Sequence, residues 1–368
     1  MSITIRVNGT EYDKFESAQC TIQLDALSNS FEIDVITTNG AALPFKMGDA
    51  CEFYVNGVKK VTGTIEICEG DYNATNHSIR YSGRDKTAAL VDSTLGKLSD
   101  IKPPISLKAI CQSIISHIGA SIAVIDNSTS SLFNDAEDLI TPEVGQNCYE
   151  FLEALAAKRQ VLLSSNADGN LVLTKSKETA SGGRLQNQLN DNGNNILSAS
   201  FSFNNTERFY KYEAVAQLNP IALNNGGETD LDPVVNQSGG VTDNEMVAGR
   251  QYIFKPAKSS SSEECKLRAE WELNMRKARS KEYTVEVNGH TIGTGKDEVW
   301  DINTLVPITD VFAGITAKML LNKVVFRTSL DQADQSSLSF VPEGSYTTQI
   351  SEPRSSTNKV GEGFTTFP

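Results

Sequence analysis

Apolar and polar residues alternate with a period of two over much of the chain, as in residues 21–25, 31–35, 51–55, 61–67 and 77–81. That period sends successive side chains to opposite faces of an extended backbone, so each segment predicts a β-strand with one buried face. The dipeptide Asn-Gly follows a valine three times, at Asn8-Gly9, Asn56-Gly57 and Asn288-Gly289. A two-residue type I′ turn needs positive φ at both central positions, which Asn and Gly adopt at little steric cost, so each copy predicts a tight hairpin. Copies near both ends of the chain predict two parts built from the same antiparallel hairpins. Short strands with turns this frequent favour barrels or sandwiches, because closure removes exposed sheet edges.

The period changes after Pro103-Pro104. Leu107, Ile110, Cys111, Ile114, Ile115 and Ile118 fall at helical spacing and stop at Gly119, ahead of an apolar stretch at 121–125. A second helix is predicted from Asn147, an N-cap with Glu150 three residues on, through Phe151, Leu152, Leu155 and Ala156. It leads into a hairpin of residues 161–164 and 170–174 turned at Asp168-Gly169. Residues 1–98 thus read as a first β-barrel domain, and 99–180 as a small α+β domain of two helix–strand units. Residues 181–196, rich in Ser, Gly, Gln and Asn, read as a linker. Residues 197–350 read as a second β-barrel domain with a long polar loop at 224–241 and a helix at 262–279, and 351–368 as a flexible tail. Ser261 with Glu264 offers a capping box for that helix, and Leu267, Trp271, Met275 and Ala278 form an apolar stripe predicted to pack in the core.

At 368 residues and 39% hydrophobic content the chain can bury more than one core. No run approaches the ~20 apolar residues of a membrane span, and the start alternates like a strand, so neither membrane insertion nor a signal peptide is expected. Cys20, Cys51, Cys68, Cys111, Cys148 and Cys265 are scattered without a C-x-x-C pair and read as reduced core residues. N-x-S/T triplets, such as those at Asn73 and Asn127, then carry no weight. The formal charge of −13 argues against tight nucleic-acid binding, which depends on Lys and Arg displacing phosphate counterions. Taken alone, the acidic excess reads as keeping the protein soluble, and it also suits a wall past which a polyanion must slide.

Chemistry is sparse. Of the three histidines, His77, His117 and His290, no two stand at i, i+4 or in an H-E-x-x-H pattern. No nucleophile elbow, phosphate loop or dinucleotide fingerprint occurs, and Gly182-Gly183 lies in a polar stretch without the strand and helix a phosphate site needs. Glu263 and Glu264 fall in a helix's first turn, where they complement the macrodipole. Asp85 and Asp92 fit surface or turn positions. No catalytic, cofactor-binding or metal-binding residue is singled out, and no cofactor is expected.

Three stretches together carry a resemblance: residues 57–65 leading to 79–93 (Ile79-Arg80-Tyr81-Ser82-Gly83-Arg84-Asp85-Lys86-Thr87 and onward); residues 145–157 with the hairpin at Asp168-Gly169; and the helix around Trp271 to Ser280 followed by 283–289 and 299–306. In order and spacing they resemble the baseplate central hub proteins of Mu-like contractile-tailed phages and prophages, and more distantly the hub part of type VI secretion spike proteins. The resemblance implies an α+β, mainly β fold: two tube-like antiparallel β-barrel domains with the small α+β domain inserted between them, in a ring-shaped homotrimer. It implies a structural protein without enzymatic activity, a trimeric adaptor joining a threefold spike to a sixfold tail tube and forming part of the channel for DNA. Its partners would be its own copies, the spike, the tail tube and other baseplate proteins, with DNA passing transiently and without specific binding. Its place would be the virion baseplate, assembled in the bacterial host cytoplasm. The alternative is a cell-wall carbohydrate-cleaving enzyme, or a glycan- or peptide-binding module, on a β-rich scaffold. An enzyme of that kind needs a pair of carboxylates across a sugar cleft, and the sequence marks none.

Overall fold

The computed structural model describes residues 2–346 except 37–42, 74–76, 97, 99–100, 134–141, 178–181, 191–192, 218–235, 257–260 and 293–297. The first part holds β1 (Ile3–Val7), β2 (Thr10–Tyr12), β3 (Phe15–Gln23), β4 (Ser30–Val35), β5 (Ala50–Val55), β6 (Val58–Tyr72), β7 (His77–Asp85) and the short helix α1 (Ala88–Asp92). A middle unit holds α2 (Leu107–His117), β8 (Val124–Asp126), α3 (Cys148–Lys158), β9 (Leu162–Ser165) and β10 (Leu171–Thr174). The last part holds β11 (Leu185–Asn187), β12 (Ser198–Phe203), β13 (Lys211–Gln217), β14 (Asn236–Thr242), β15 (Gln251–Phe254), α4 (Ser262–Ser280), β16 (Lys281–Asn288), β17 (Thr304–Asp310), β18 (Ile315–Ser329) and β19 (Gln335–Pro342). The fold is mainly β with few helices.

The first and last parts were expected as two separate closed barrels. They share instead one 13-stranded sheet, joined edge to edge where β3 pairs antiparallel with β18. Among the described residues no ladder closes either part into a barrel: the outer edge of β3 is taken by β18 rather than returning to β1, which pairs with β2 and β5. What repeats is the strand order. The first part runs β3-β4-β7-β6-β5-β1 and the last runs β12-β16-β19-β18-β17-β11. In both, the chain lays down the far strand first and then visits the others in the same sequence. The central strands β6 and β18 are each 15 residues long. Each is bulged once against its following neighbour, between Ile65 and Ile67 in β6 and between Leu321 and Lys323 in β18. The copies differ at the far edge, where β1 runs antiparallel to β5 and β11 parallel to β17.

Two of the three Asn-Gly dipeptides that follow a valine turn hairpins as expected. Asn8 and Gly9 have φ of 50° and 80° between β1 and β2, and Asn56 and Gly57 have 48° and 79° between β5 and β6. The third does not. Only Gly289 has positive φ, and both edges of β16 are already taken by β12 and β19, leaving no room for a hairpin partner. The segment read as a linker contains β11, whose Leu185 is buried in the main core. Residues 236–241 of the expected loop form most of β14, while 224–235 lie outside the described residues, as does the tail at 351–368.

That core runs through both parts and includes Phe31, Phe53, Tyr283, Phe326 and Phe340. The middle unit has its own core, with Leu107, Ile114, Phe133, Leu152 and Leu171, and a three-stranded sheet ordered β8-β10-β9. Its helices start as their sequences dictate: the Ser106 hydroxyl accepts from the Ala109 amide, and the Asn147 side chain accepts from the Tyr149 and Glu150 amides. Ser261 caps α4 by accepting from the Glu264 amide. The expected stripe of α4 packs through Trp271, Met275 and Ala278 against Leu24, Leu305 and Leu320. A second face, Cys265 and Ala269, covers the separate sheet β14-β13-β15 through Tyr212 and Ala214. That face lies on the side of the helix opposite the predicted stripe, at 100° per residue.

Candidate functional site

The residues weighed for chemistry are dispersed. His290 is buried, with Nδ1 2.8 Å from the Ser336 hydroxyl, and burial depresses its pKa. His77 stacks on Tyr72 at the end of the β6–β7 hairpin, and His117 ends α2. The six cysteines are free thiols, and burial pushes Cys20, Cys51 and Cys111 up to about 12, which makes them poor nucleophiles. Glu263 and Glu264 lie in the first turn of α4 as expected. Among the described residues no three His, Cys, Asp or Glu groups converge as a metal site would require. A cleft of about 400 Å³ between the sheet and the middle unit is lined by Lys59, Lys60, Ser164, Ser165, Lys177 and Asn303. In it the buried Lys60 ammonium donates to the Trp300 carbonyl at 2.9 Å.

Asp85 is not at the surface. It is 2% exposed and joins the first part of the sheet to the middle unit. Its Oδ1 accepts from the Thr87 amide (2.9 Å) and the Thr87 hydroxyl (2.6 Å), and its Oδ2 from the Asn29 amide (3.1 Å) and the Ser165 hydroxyl (2.5 Å). The Asn29 side-chain amide donates to the same Ser165 oxygen at 2.7 Å. Burial raises the Asp85 pKa and four donors pull it back, with net movement upward. With four donors converging on it from three segments of the chain, this carboxylate is a fastener between units. Asp92 pairs with Arg84, which also grips the bulge residue Glu66 at 2.6 Å.

The features left over are the edges of the duplicated sheet. β12 pairs with β16 on one side, and all six of its residues are exposed. Phe201 and Phe203 are 43% and 50% exposed, with rings 5.2 Å apart, and Phe312, 85% exposed, stands 6.3 Å from Phe201. β6 pairs with β5 through residues 58–64 and with β7 through residues 63–72, and Ile65 exchanges main-chain bonds with Gly48 and Asp49, so from Glu66 onward its other edge has no strand among the described residues. There Ile67 is 50% and Tyr72 83% exposed. An unpaired edge of this length invites another strand. The alternation in 197–203 marked β12 as a strand, but nothing in it foretold that its apolar face would stay uncovered.

Comparison with known proteins places these edges in context. Residues 2–85 match the family Mu phage baseplate assembly protein GpP-like, N-terminal. Over 359 residues, 96% of this chain and 91% of the relative, the sequence is 24% identical to the baseplate hub protein gp44 of Escherichia phage Mu. The crystal structure of the prophage MuSo2 43 kDa tail protein from Shewanella oneidensis superimposes with a TM-score of 0.76 at 27% identity, covering 93% of this chain and 98% of that one. The chain is a relative of the tail and baseplate proteins of Mu-like phages. The tail protein of Neisseria meningitidis MC58 shares the fold, with a TM-score of 0.77 at 20% identity over 94% of this chain and 97% of that one. Sequence resemblance and fold agree on a structural protein of the phage tail.

Proposed function

We propose that this Mu-like tail protein is the central hub of a contractile-tail baseplate, a homotrimeric adaptor between a threefold spike and a sixfold tail tube whose bore lets DNA pass. The observation that carries the reading is the repeated strand order in the two parts of each chain. Three copies of a chain with two like parts offer six like surfaces, which is how a threefold body can present itself to a sixfold one. The formal charge of −13 suits a bore that must not hold DNA. The spike, the tail tube and other baseplate proteins are its partners on this reading, and the virion its location. A wall-cleaving enzyme finds no support in its relatives, which are baseplate and tail proteins by name.

Size-exclusion chromatography with light scattering tests the assembly. Three chains of 40.0 kDa should elute together at about three times that mass. A monomer across the whole soluble concentration range refutes the adaptor role.

A further inference from the structure

The joint inside the chain dictates how the joint between chains must look. On the trimeric reading above, the strand pairings carry one joint over to the other. Aligning the single bulge of β6 with that of β18 places Gly70 where Phe326 stands: both lie four residues beyond the bulge, opposite Ile79 and Ser336 of the following strands. The neighbouring ladders carry the equivalence across the sheet. Gly83 faces Phe31, which faces Cys20, whereas Phe340 faces Tyr283, which faces Phe201. Cys20 and Phe201 are therefore counterparts, and β12 is the counterpart of β3. Within the chain β3 pairs antiparallel with β18, Cys20 opposite Phe326. The counterpart of that joint would set β12 against β6, and within this chain neither strand has the other as a neighbour.

We infer that β12 of one copy adds antiparallel to the open edge of β6 in the next, with Phe201 opposite Gly70, Ala199 opposite Tyr72, and Ser200 opposite Asp71 on the outer face. Side-chain size supports this register. The inner joint sets a small residue of β3 against a large one of β18, Cys20 against Phe326. The outer joint reverses the sizes, with a large Phe201 entering where Gly70 has no side chain. Nothing in the chain's own fold requires that glycine: a Cβ there would meet only the Ser78 carbonyl oxygen at 3.5 Å and the Ile79 side chain at 3.7 Å. Burial is consistent too. Ala18, Cys20 and Ile22 are at most 4% exposed beneath the inner joint, whereas the apolar face of β12 is bare. The pairing is heterologous, one edge to a different edge, so it propagates head to tail and ends only by closing a ring.

Cysteines placed at Ser200 and Asp71 (S200C with D71C in one chain) test the register, because directly opposed positions on antiparallel strands lie within disulfide reach. With copper–phenanthroline as the added oxidant, the two thiols lose two protons and two electrons to form the bond. The expected result is covalent dimers and trimers on a non-reducing gel, with little cross-linking in the displaced pair S202C with D71C. A companion variant, Gly70→Val, should fold with an unchanged circular dichroism spectrum yet trimerise only at about tenfold or higher concentration, since it fills the space for Phe201. A trimer by mass that does not cross-link at 200 and 71, or a Gly70→Val chain that trimerises like the parent, overturns the register and leaves the hub reading standing. A protein that stays monomeric by mass removes both.

Discussion

Replacing Asp85 by alanine gives the sharpest test of how the middle unit is held. The carboxylate takes four hydrogen bonds, two of them from main-chain amides, at Thr87 and Asn29. The hydroxyls of Thr87 and Ser165 can turn to other partners, but the two buried amides cannot. Each amide stranded without an acceptor costs about 1–3 kcal/mol. Removing a buried carboxylate also relieves its desolvation, which is the largest influence on its pKa. The net loss for Asp85→Ala is then about 2–4 kcal/mol. Asp85→Asn retains one acceptor oxygen and strands one amide, so it should cost about 1–3 kcal/mol and always less than alanine. Because the chain holds several cores, no single unfolding midpoint describes it, and native-state hydrogen exchange is the appropriate assay. Amides of β9 and β10 that exchange through undocking of the middle unit should speed up by roughly 30- to 700-fold in Asp85→Ala, at 1.4 kcal/mol per factor of ten. Exchange rates within about twofold of the parent, or an asparagine variant as damaged as the alanine one, would refute the fastening role.

Glycine substitutions along β6 should separate fold from assembly. A Cβ on Gly63 would lie 1.9 Å from the Arg84 carbonyl oxygen and 2.7 Å from the Asp85 Cα, so Gly63→Ala should cost about 3 kcal/mol or more by native-state exchange of the β6 and β7 amides. Gly70→Ala meets no such contact and should stay within about 1 kcal/mol of the parent. Acid should loosen α4 from its small sheet before the main core yields. Burial pushes the Glu245 carboxyl up, but hydrogen bonds from Lys277 and Arg208 outweigh it and hold the pKa at about 2, below the ordinary 4.5. A depressed acid stabilises the fold above its unfolded pKa, and that contribution fades as pH falls from about 4.5 through about 2. Limited proteolysis between pH 5 and 2 should expose the region around residues 243–250 in the parent, and Glu245→Gln should flatten this pH dependence. An unchanged profile in Glu245→Gln would assign the acid response to other groups.

The residues announced much of this protein because several of its elements are specified locally. The Asn-Gly pairs at 8–9 and 56–57 make their turns from their own φ preferences, and Ser106, Asn147 and Ser261 cap helices by bonds to amides two or three residues away. Such signals reach only a few positions along the chain, and they sufficed for most of the strands and for the three longer helices. Asn288-Gly289 marks where that reach ends, since strands from elsewhere had already taken both edges of β16. The joining of two expected barrels into one sheet, the burial of Asp85 and the recruitment of residues 185–187 as a strand rest on partners 56 to 312 positions distant. So does the order of strands that makes the two parts alike. Alternation reports which face of a strand is apolar, but a strand's edges are bare backbone that every sequence shares, so only the folded chain decides which edge is covered and which stays open.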